Sequence, residues 1–197
     1  MKEFTLAEVI NKLSSWVGVI NKLSSCNLTD LINHLKELDS LTNNPTVKNS
    51  IATQIVYLLN TETPLLNTIL YSSDDTHIRI AQKLADILHA IGYLPTSQMI
   101  TISRHDLVHE LIGHTREKTT NLLNANSGKL IFINEAQSLY VNYRDTFGLE
   151  AIEALYVWML EHPHERIIMA GNERLLHDLL SQIPNFERQF SWVIDCQ

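Results

Sequence analysis

The sequence predicts an α/β fold in which a mainly parallel sheet is covered by helices on both faces and preceded by an N-terminal helical segment. Two observations carry this. Short apolar runs of strand length recur at "NTILY" (67–71), "MITI" (99–102), "KLIFI" (129–133), "RIIMA" (166–170) and "FSWVIDC" (190–196). Segments of helical period separate these runs, and strands that alternate with helices are joined as parallel neighbours through crossovers. The boundaries expected are 1–40 for the helical segment and 41–197 for the α/β core.

The elements follow in order. Residues 4–40 read as helical and hold an internal echo, "VINKLSS" at 9–15 and again at 19–25. Ten residues turn a helix through about 1000°, so the copies face about 80° apart and make no heptad. Gly18 is a candidate break. "NLTDLINHLKEL" (27–38) is a capped amphipathic helix, with Asn27 or Thr29 as the cap and Leu31, Leu35 and Leu38 on one side. "NPTVKNSIATQIVYLL" (44–59) starts with Pro45 in its first turn. After the first strand, residues 76–91 place Ile80, Leu84, Leu88 and Ile91 on one helical face. "HDLVHEL" and "REKTTNLLN" read as helices, with Gly113 ending the first. "KLIFI", four apolar residues after a lysine, reads as the central strand, buried on both faces. "LEAIEALYVWMLEH" (149–162) is a helix stopped by Pro163, and "ERLLHDLLSQI" a last helix before the last strand.

Composition narrows the function. The 197 residues carry a net charge of −7, which disfavours a phosphate-binding surface built from clustered Lys and Arg, so no nucleic acid is expected as a partner. The two cysteines form no framework and suit a reducing compartment. No apolar run has the length of a membrane span or a signal peptide core. A soluble intracellular protein, placed in the cytoplasm and acting on or with other proteins or small molecules, is expected.

Ligands of parallel sheets sit at the carboxyl ends of strands. Asn134, Glu135, Gly171 and Asn172 fall there. A phosphate-binding loop would follow the first strand, its glycines exposing backbone N–H groups and its lysine neutralising charge. That link is "SSDDTHIRIA" (72–81), with no glycine anywhere between Gly18 and Gly92. Asp74 and Asp75 stand at the helix entrance, where they are read as caps and where carboxylates repel a phosphate.

The histidines His105, His109 and His114 invite a zinc reading. Only His105 and His109 have the one-turn spacing, and no third ligand is evident, so no metal is expected. "HPHE" (162–165) reads as a solvated turn. Cys196 lacks a basic neighbour, and Trp158 and Trp192 read as core.

"RHDLVHELIGHT", "KLIFINEAQSLY", "FGLEAIEALYVWM" and "IIMAGNERL", in this order, resemble the AAA+ ATPases of the CbbX rubisco activase and stage V sporulation protein K type. The resemblance runs from about Leu38 to Asp195 and implies a three-layer P-loop NTPase core. It also implies a degenerate nucleotide site. His77 takes the place of the phosphate-loop lysine, whose permanent charge a histidine does not replace. Asn134 stands for the Mg²⁺-side aspartate, Glu135 for the catalytic glutamate and Asn172 for the polar sensor. Gln189 is at the arginine-finger position, with Arg188 one place early. Leu111 aligns with the substrate-gripping aromatic of the pore loop. The helical lid of the family is expected to be missing, which would uncover Leu175, Leu179 and Ile183.

The resulting expectation is a protein that is not an enzyme, has no cofactor, and serves as a non-catalytic pseudo-ATPase for protein binding or assembly, as a monomer, a small oligomer or a heteromeric complex rather than a self-sufficient hexamer. The alternative is a remodelling ATPase subunit working with an active homologue. A histidine-based metal hydrolase is a remote third.

Overall fold

The structure, a computed structural model, describes residues 5–20, 27–59, 67–72 and 75–196. Helices α1 (Leu6–Ile20), α2 (Leu28–Leu41) and α3 (Pro45–Leu58) precede the alternating part. There β1 (Thr68–Tyr71), α4 (Thr76–Ala90), β2 (Met99–Ile102), α5 (Arg104–Leu107), α6 (Thr115–Ala125) and β3 (Leu130–Ile133) lead to α7 (Thr146–Glu161), β4 (Arg166–Gly171), α8 (Glu173–Leu180) and β5 (Trp192–Asp195). Short 3-10 turns lie at Ala136–Leu139 and Glu187–Gln189.

All described strand pairs are parallel, in the order β2-β3-β4-β1-β5. The centre is therefore β4, not the "KLIFI" strand. Both are buried along their whole length, and a fully apolar run does not reveal which of two interior strands lies in the middle.

Side-chain alternation divides the strand residues between two cores. Ile69, Ile131, Ile133, Ile167 and Met169 face α6, α7 and α8. Leu70, Phe132, Ile168, Ala170 and Ile194 face α1 to α4. The crossover from β1 to β2 thus runs over one face through α4, and the returns to β3, β4 and β5 run over the other. The direction of winding reverses beside β1 and β4, so the crevice at their carboxyl ends is the topological switch point where a ligand of such a sheet sits.

The N-terminal helices share the α4-side core. Leu6, Val9 and Leu13 of α1 and Leu28, Leu31, Ile32, Leu35 and Leu38 of α2 are buried with Ile80, Leu84 and Leu88 of α4. Helix α1 continues through Gly18 to Ile20, correcting the expected break there; most of the second "VINKLSS" lies outside the described residues. Of the two candidate caps, Asn27 is the one used: its side chain accepts from Asp30 N–H at 3.3 Å and its own N–H donates to Ala90 O at 2.9 Å. Lys83 of α4 binds Glu37 of α2 at 2.6 Å and Asp86 at 2.7 Å, closing the polar margin of the contact. Asn44 caps α3 by accepting from Thr46 N–H at 2.9 Å, with Pro45 following it. Tyr57 of α3 packs edge-on against Trp192 of β5, ring centres 5.4 Å apart.

Two further expectations are corrected. The helix read in "HDLVHEL" stops at Leu107, because the chain turns extended at Val108 after a one-turn helix with a Ser103–Asp106 capping box. Leu179 is fully buried, against the α7 side of the core, while Leu175 is exposed and Ile183 partly buried. Among the described residues no helix is long and apolar enough to cross a membrane.

Candidate functional site

His77 lies in the first turn of α4, buried at the switch point. Its Nε2 is 2.8 Å from Asn134 Oδ1, and its ring packs at 5.7 Å on Phe132. With an amide oxygen facing the ring, Nε2 is the donor. The positions that resemble the phosphate-loop lysine and the Mg²⁺-side aspartate are thus joined to each other by a hydrogen bond across 57 residues of sequence. Asn134 is further fixed by its N–H, which donates to Ile102 O at 2.9 Å. Asp75 occupies the N-cap position of α4 but makes no side-chain cap bond, correcting the capping role read for it; Asp74 lies outside the described residues.

Glu135 follows Asn134 with φ 47 and ψ 45, a left-handed backbone in a non-glycine residue. Such a conformation costs on the order of 1–3 kcal/mol and persists only where surrounding structure enforces it. Here the enforcing structure is the 3-10 turn Ala136–Leu139, in which Ser138 N–H donates to Glu135 O at 2.8 Å. The Glu135 side chain is exposed. Gln137, in the same turn, buries its Oε1 without a hydrogen-bond partner against the end of β4. A Cβ on Gly171 would lie 1.7 Å from that oxygen, so only glycine admits the close approach. Asn172 caps α8, accepting from Leu175 N–H at 3.2 Å. Arg188 is exposed in the turn before β5, and makes no ion pair among the described residues. Gln189, beside it, holds the turn to the sheet, its carbonyl accepting from Asn67 Nδ2 at 3.1 Å.

The surroundings are acidic. The Tyr71 hydroxyl, at the end of β1, is pushed above its ordinary range by burial and by the carboxylates of Glu173, Glu187 and Asp195. Proteins usually hold Mg²⁺ through one or two carboxylates, with waters and substrate phosphates completing its shell. Asn134 supplies none and its oxygen is engaged by His77, so these residues by themselves do not fit Mg²⁺.

A second cluster went unread in the sequence. Arg104 Nη1 and Nη2 donate to both carboxylate oxygens of Asp145 at 2.6 and 2.8 Å, and Nη1 also donates to Ser138 O at 2.9 Å and Leu139 O at 3.1 Å. Asp145 in turn caps α7 through Gly148 N–H at 3.0 Å. A Cβ at Gly148 would lie 2.0 Å from Leu139 O and 2.7 Å from Arg104 Nη1, so a glycine is required where the clamp passes. The sequence signal was the "DTFG" that opens the helix, an aspartate in cap position whose partner lies 41 residues away.

The clamp lies at the base of two loops. One, 108–114, follows α5; the other, 140–145, ends at Asp145. They rise from neighbouring helix ends, since Arg116 N–H of α6 donates to Glu150 Oε1 of α7 at 3.1 Å. Their tips expose Leu111 (61 %), Ile112 (88 %), Val141 (66 %) and Tyr143 (73 %). The rings of His109 and His114 lie 5.2 Å apart within the first loop, where His109 Nδ1 accepts from Leu111 N–H at 2.9 Å. That bond gives His109 a role in shaping the loop. No group of three metal-ligating side chains occurs among the described residues.

The clamp yields a pH prediction. Burial alone would raise the Asp145 carboxyl; the Arg104 guanidinium and the N–H groups of Gly148 and Val141 outweigh it and hold the group below its ordinary value. A depressed folded-state pKa contributes stability above the unfolded value of about 3.9, lost as pH falls through the folded value. Asp145→Asn should cost about 2 kcal/mol at pH 7, as for a lost charge-assisted bond. The gap between variant and wild-type melting temperatures should then narrow below about pH 4. A gap independent of pH down to 2 would exclude the carboxylate as its source.

No protein-family model matches the chain. Over 138 residues it is 33 % identical to protein CbbX of Cereibacter sphaeroides, a match covering 68 % of this chain and 44 % of that protein. Over 117 residues it is 36 % identical to stage V sporulation protein K of Bacillus subtilis (59 % and 36 % covered). Over 92 residues it is 41 % identical to the chloroplastic ribulose bisphosphate carboxylase/oxygenase activase of Cyanidioschyzon merolae (46 % and 31 % covered). The chain spans less than half the length of these curated relatives. The expectation of a protein that is not an enzyme is overturned by these matches, which are to AAA+ ATPases, an activase among them. Over the residues matched, the chain is a relative of the AAA+ proteins of the CbbX and stage V sporulation protein K type.

Proposed function

We propose that this chain is a subunit of a cytoplasmic AAA+ remodelling ATPase, acting on other proteins in a complex with a homologue that carries a complete nucleotide site. The observation that supports it most is the Arg104 clamp. From α5, which leads into the loop exposing Leu111 and Ile112, it binds the turn that begins at Glu135 and Asp145 at the end of the loop exposing Val141 and Tyr143, so the place of the nucleotide lies beside the place where polypeptide would be gripped.

The need for a partner follows from the His77–Asn134 pair, an imidazole and an amide bonded to each other where the resemblance places a lysine and an aspartate, and from the acidic rim, which repels phosphate. The exposed guanidinium of Arg188 is the group this subunit would offer to a neighbour's phosphates. A finger of that kind stabilises charge that develops in phosphoryl transfer and can be worth 10³–10⁵ in rate.

The test is co-expression with a CbbX-type homologue that has the full Gly-Lys-Thr loop. The two should co-purify, and Arg188→Ala should lower the ATPase rate of the mixed complex at least tenfold while leaving assembly intact. Leu111→Ser with Ile112→Ser should reduce remodelling more than ATP turnover. Absence of any association, together with homologue activity indifferent to this chain, would refute the proposal. Association without any effect on turnover would replace it with an assembly role.

A further inference from the structure

The open edge of the sheet carries a second inference, independent of the nucleotide site. Among the described residues strand β2 is bonded on one side only, to β3. Gln98 O and Ile102 O face β3, accepting from Leu130 N–H at 3.0 Å and Asn134 N–H at 2.9 Å. Strand alternation therefore turns the N–H and C=O groups of Met99 and Thr101 outward. An edge of this kind is a template for another strand, and proteins commonly blunt it with charge, proline or a covering element. None of the residues Met99–Ile102 is charged or proline.

A trough of about 610 Å³ runs along this edge, with Ser97 to Thr101 as its floor. Gln82 of α4 forms one wall; Asn126 and Lys129, between α6 and β3, form the other. Because α4 and α6 cover opposite faces of the sheet, the trough straddles the sheet plane, as an added strand would. Most of its polar walls are already satisfied: Gln82 donates to Asp86 at 3.2 Å and to Ser97 O at 3.1 Å, and Asn126 to Leu122 O at 2.9 Å. The Asp86 carboxylate behind Gln82 is paired with Lys83 at 2.7 Å. Lys129 differs. Its Nζ meets only the neutral Asn126 Oδ1, at 3.1 Å, and has no carboxylate partner among the described residues.

We propose that the β2 edge docks an extended segment of a partner polypeptide as a sixth strand, with an acidic side chain of that segment seated on Lys129. Main-chain bonds to Met99 and Thr101 supply the affinity and the carboxylate supplies the register, the usual division in strand addition. A second copy of this chain is the poorer occupant, since pairing β2 with β2 would bring two Lys129 charges and two chains of net charge −7 together.

The experiment uses the whole chain and a pool of capped hexapeptides alternating valine and threonine, with one glutamate at each position in turn. Amide hydrogen exchange is followed at Met99 and Thr101. At least one register should slow both amides tenfold or more at millimolar peptide. Replacing its glutamate by lysine, or N-methylating alternate amides, should each weaken binding at least tenfold. Thr101→Pro should abolish binding without unfolding, because the N–H it removes faces away from β3 and edge strands tolerate proline there. Circular dichroism checks the fold, and Lys129→Gln, which keeps the edge intact, should lose the preference for glutamate. Unprotected amides with every peptide, or binding indifferent to N-methylation, would overturn the proposal. Concentration-dependent dimerisation that protects the same amides without peptide would assign the edge to a second copy instead.

Discussion

A chain lacking residues 1–41 should fail to reach a native state. Eight apolar side chains of α1 and α2 are buried: Leu6, Val9, Leu13, Leu28, Leu31, Ile32, Leu35 and Leu38. At about 1.5–3 kcal/mol each their burial is worth on the order of 10–20 kcal/mol. Removing the helices also removes the entropy cost of ordering them, but it uncovers the face of α4 that carries Ile80, Leu84 and Leu88. Net stabilities of domains are only about 5–15 kcal/mol, so exposure of that face is enough to decide the outcome. The truncated protein should aggregate or lose its near-ultraviolet dichroism. The milder Leu35→Ala should leave a folded protein weakened by about 2–5 kcal/mol. A truncated chain that stays soluble with an unchanged melting temperature would show that α1 and α2 are appendages.

Trp158→Ala should be the most damaging single substitution in the other core. Trp158 is buried in α7, stacks on His162 with ring centres 4.6 Å apart, and donates from Nε1 to Asn124 Oδ1 at 2.8 Å. Truncating a buried tryptophan leaves a cavity and costs about 3–5 kcal/mol. For a chain of this size that corresponds to a fall of roughly 10 °C or more in melting temperature. Trp158→Phe separates packing from the hydrogen bond. Asn124 is exposed and can turn to water, so the phenylalanine variant should lose far less. Equal losses in the two variants would mean that the bond, and not the ring, holds α6 to α7.

The alternation of strand and helix was legible because each strand is an apolar run closed by polar residues and each helix has one buried face. Ile80, Leu84 and Leu88, spaced four apart, are all buried as their period requires. Strand order was not legible, since it is fixed by pairings between distant segments. The candidate site was legible as a set of positions but not as an arrangement. Asn134 and His77 each read as a lost charge, while their hydrogen bond to each other depends on α4 entering beside β3. The left-handed Glu135 had no signal, because a glutamate does not announce a backbone that glycine or asparagine usually takes. The helix in "HDLVHEL" is shorter than its sequence suggests for a related reason. Its first turn is helical, but Val108 turns extended, and Lys118 donates to the carbonyls of His105 and Val108 at 2.7 Å, satisfying groups a longer helix would have bonded itself.

The position of β1 has a consequence for how the chain is made. Its neighbours are the last two strands, with Thr68 beside Ile168 on one side and Trp192 on the other. Asn67 reaches Ile167 N–H across 100 residues and Gln189 O across 122. On the ribosome, β1 and the helices before it emerge long before either partner exists. At about 5–20 residues per second, the wait is many seconds, during which the apolar sides of α2, α4 and β1 have no sheet to rest on. Contacts of such long sequence separation also form slowly once the chain is complete. Mutations that weaken β5 should therefore be felt first as a failure of yield rather than of activity.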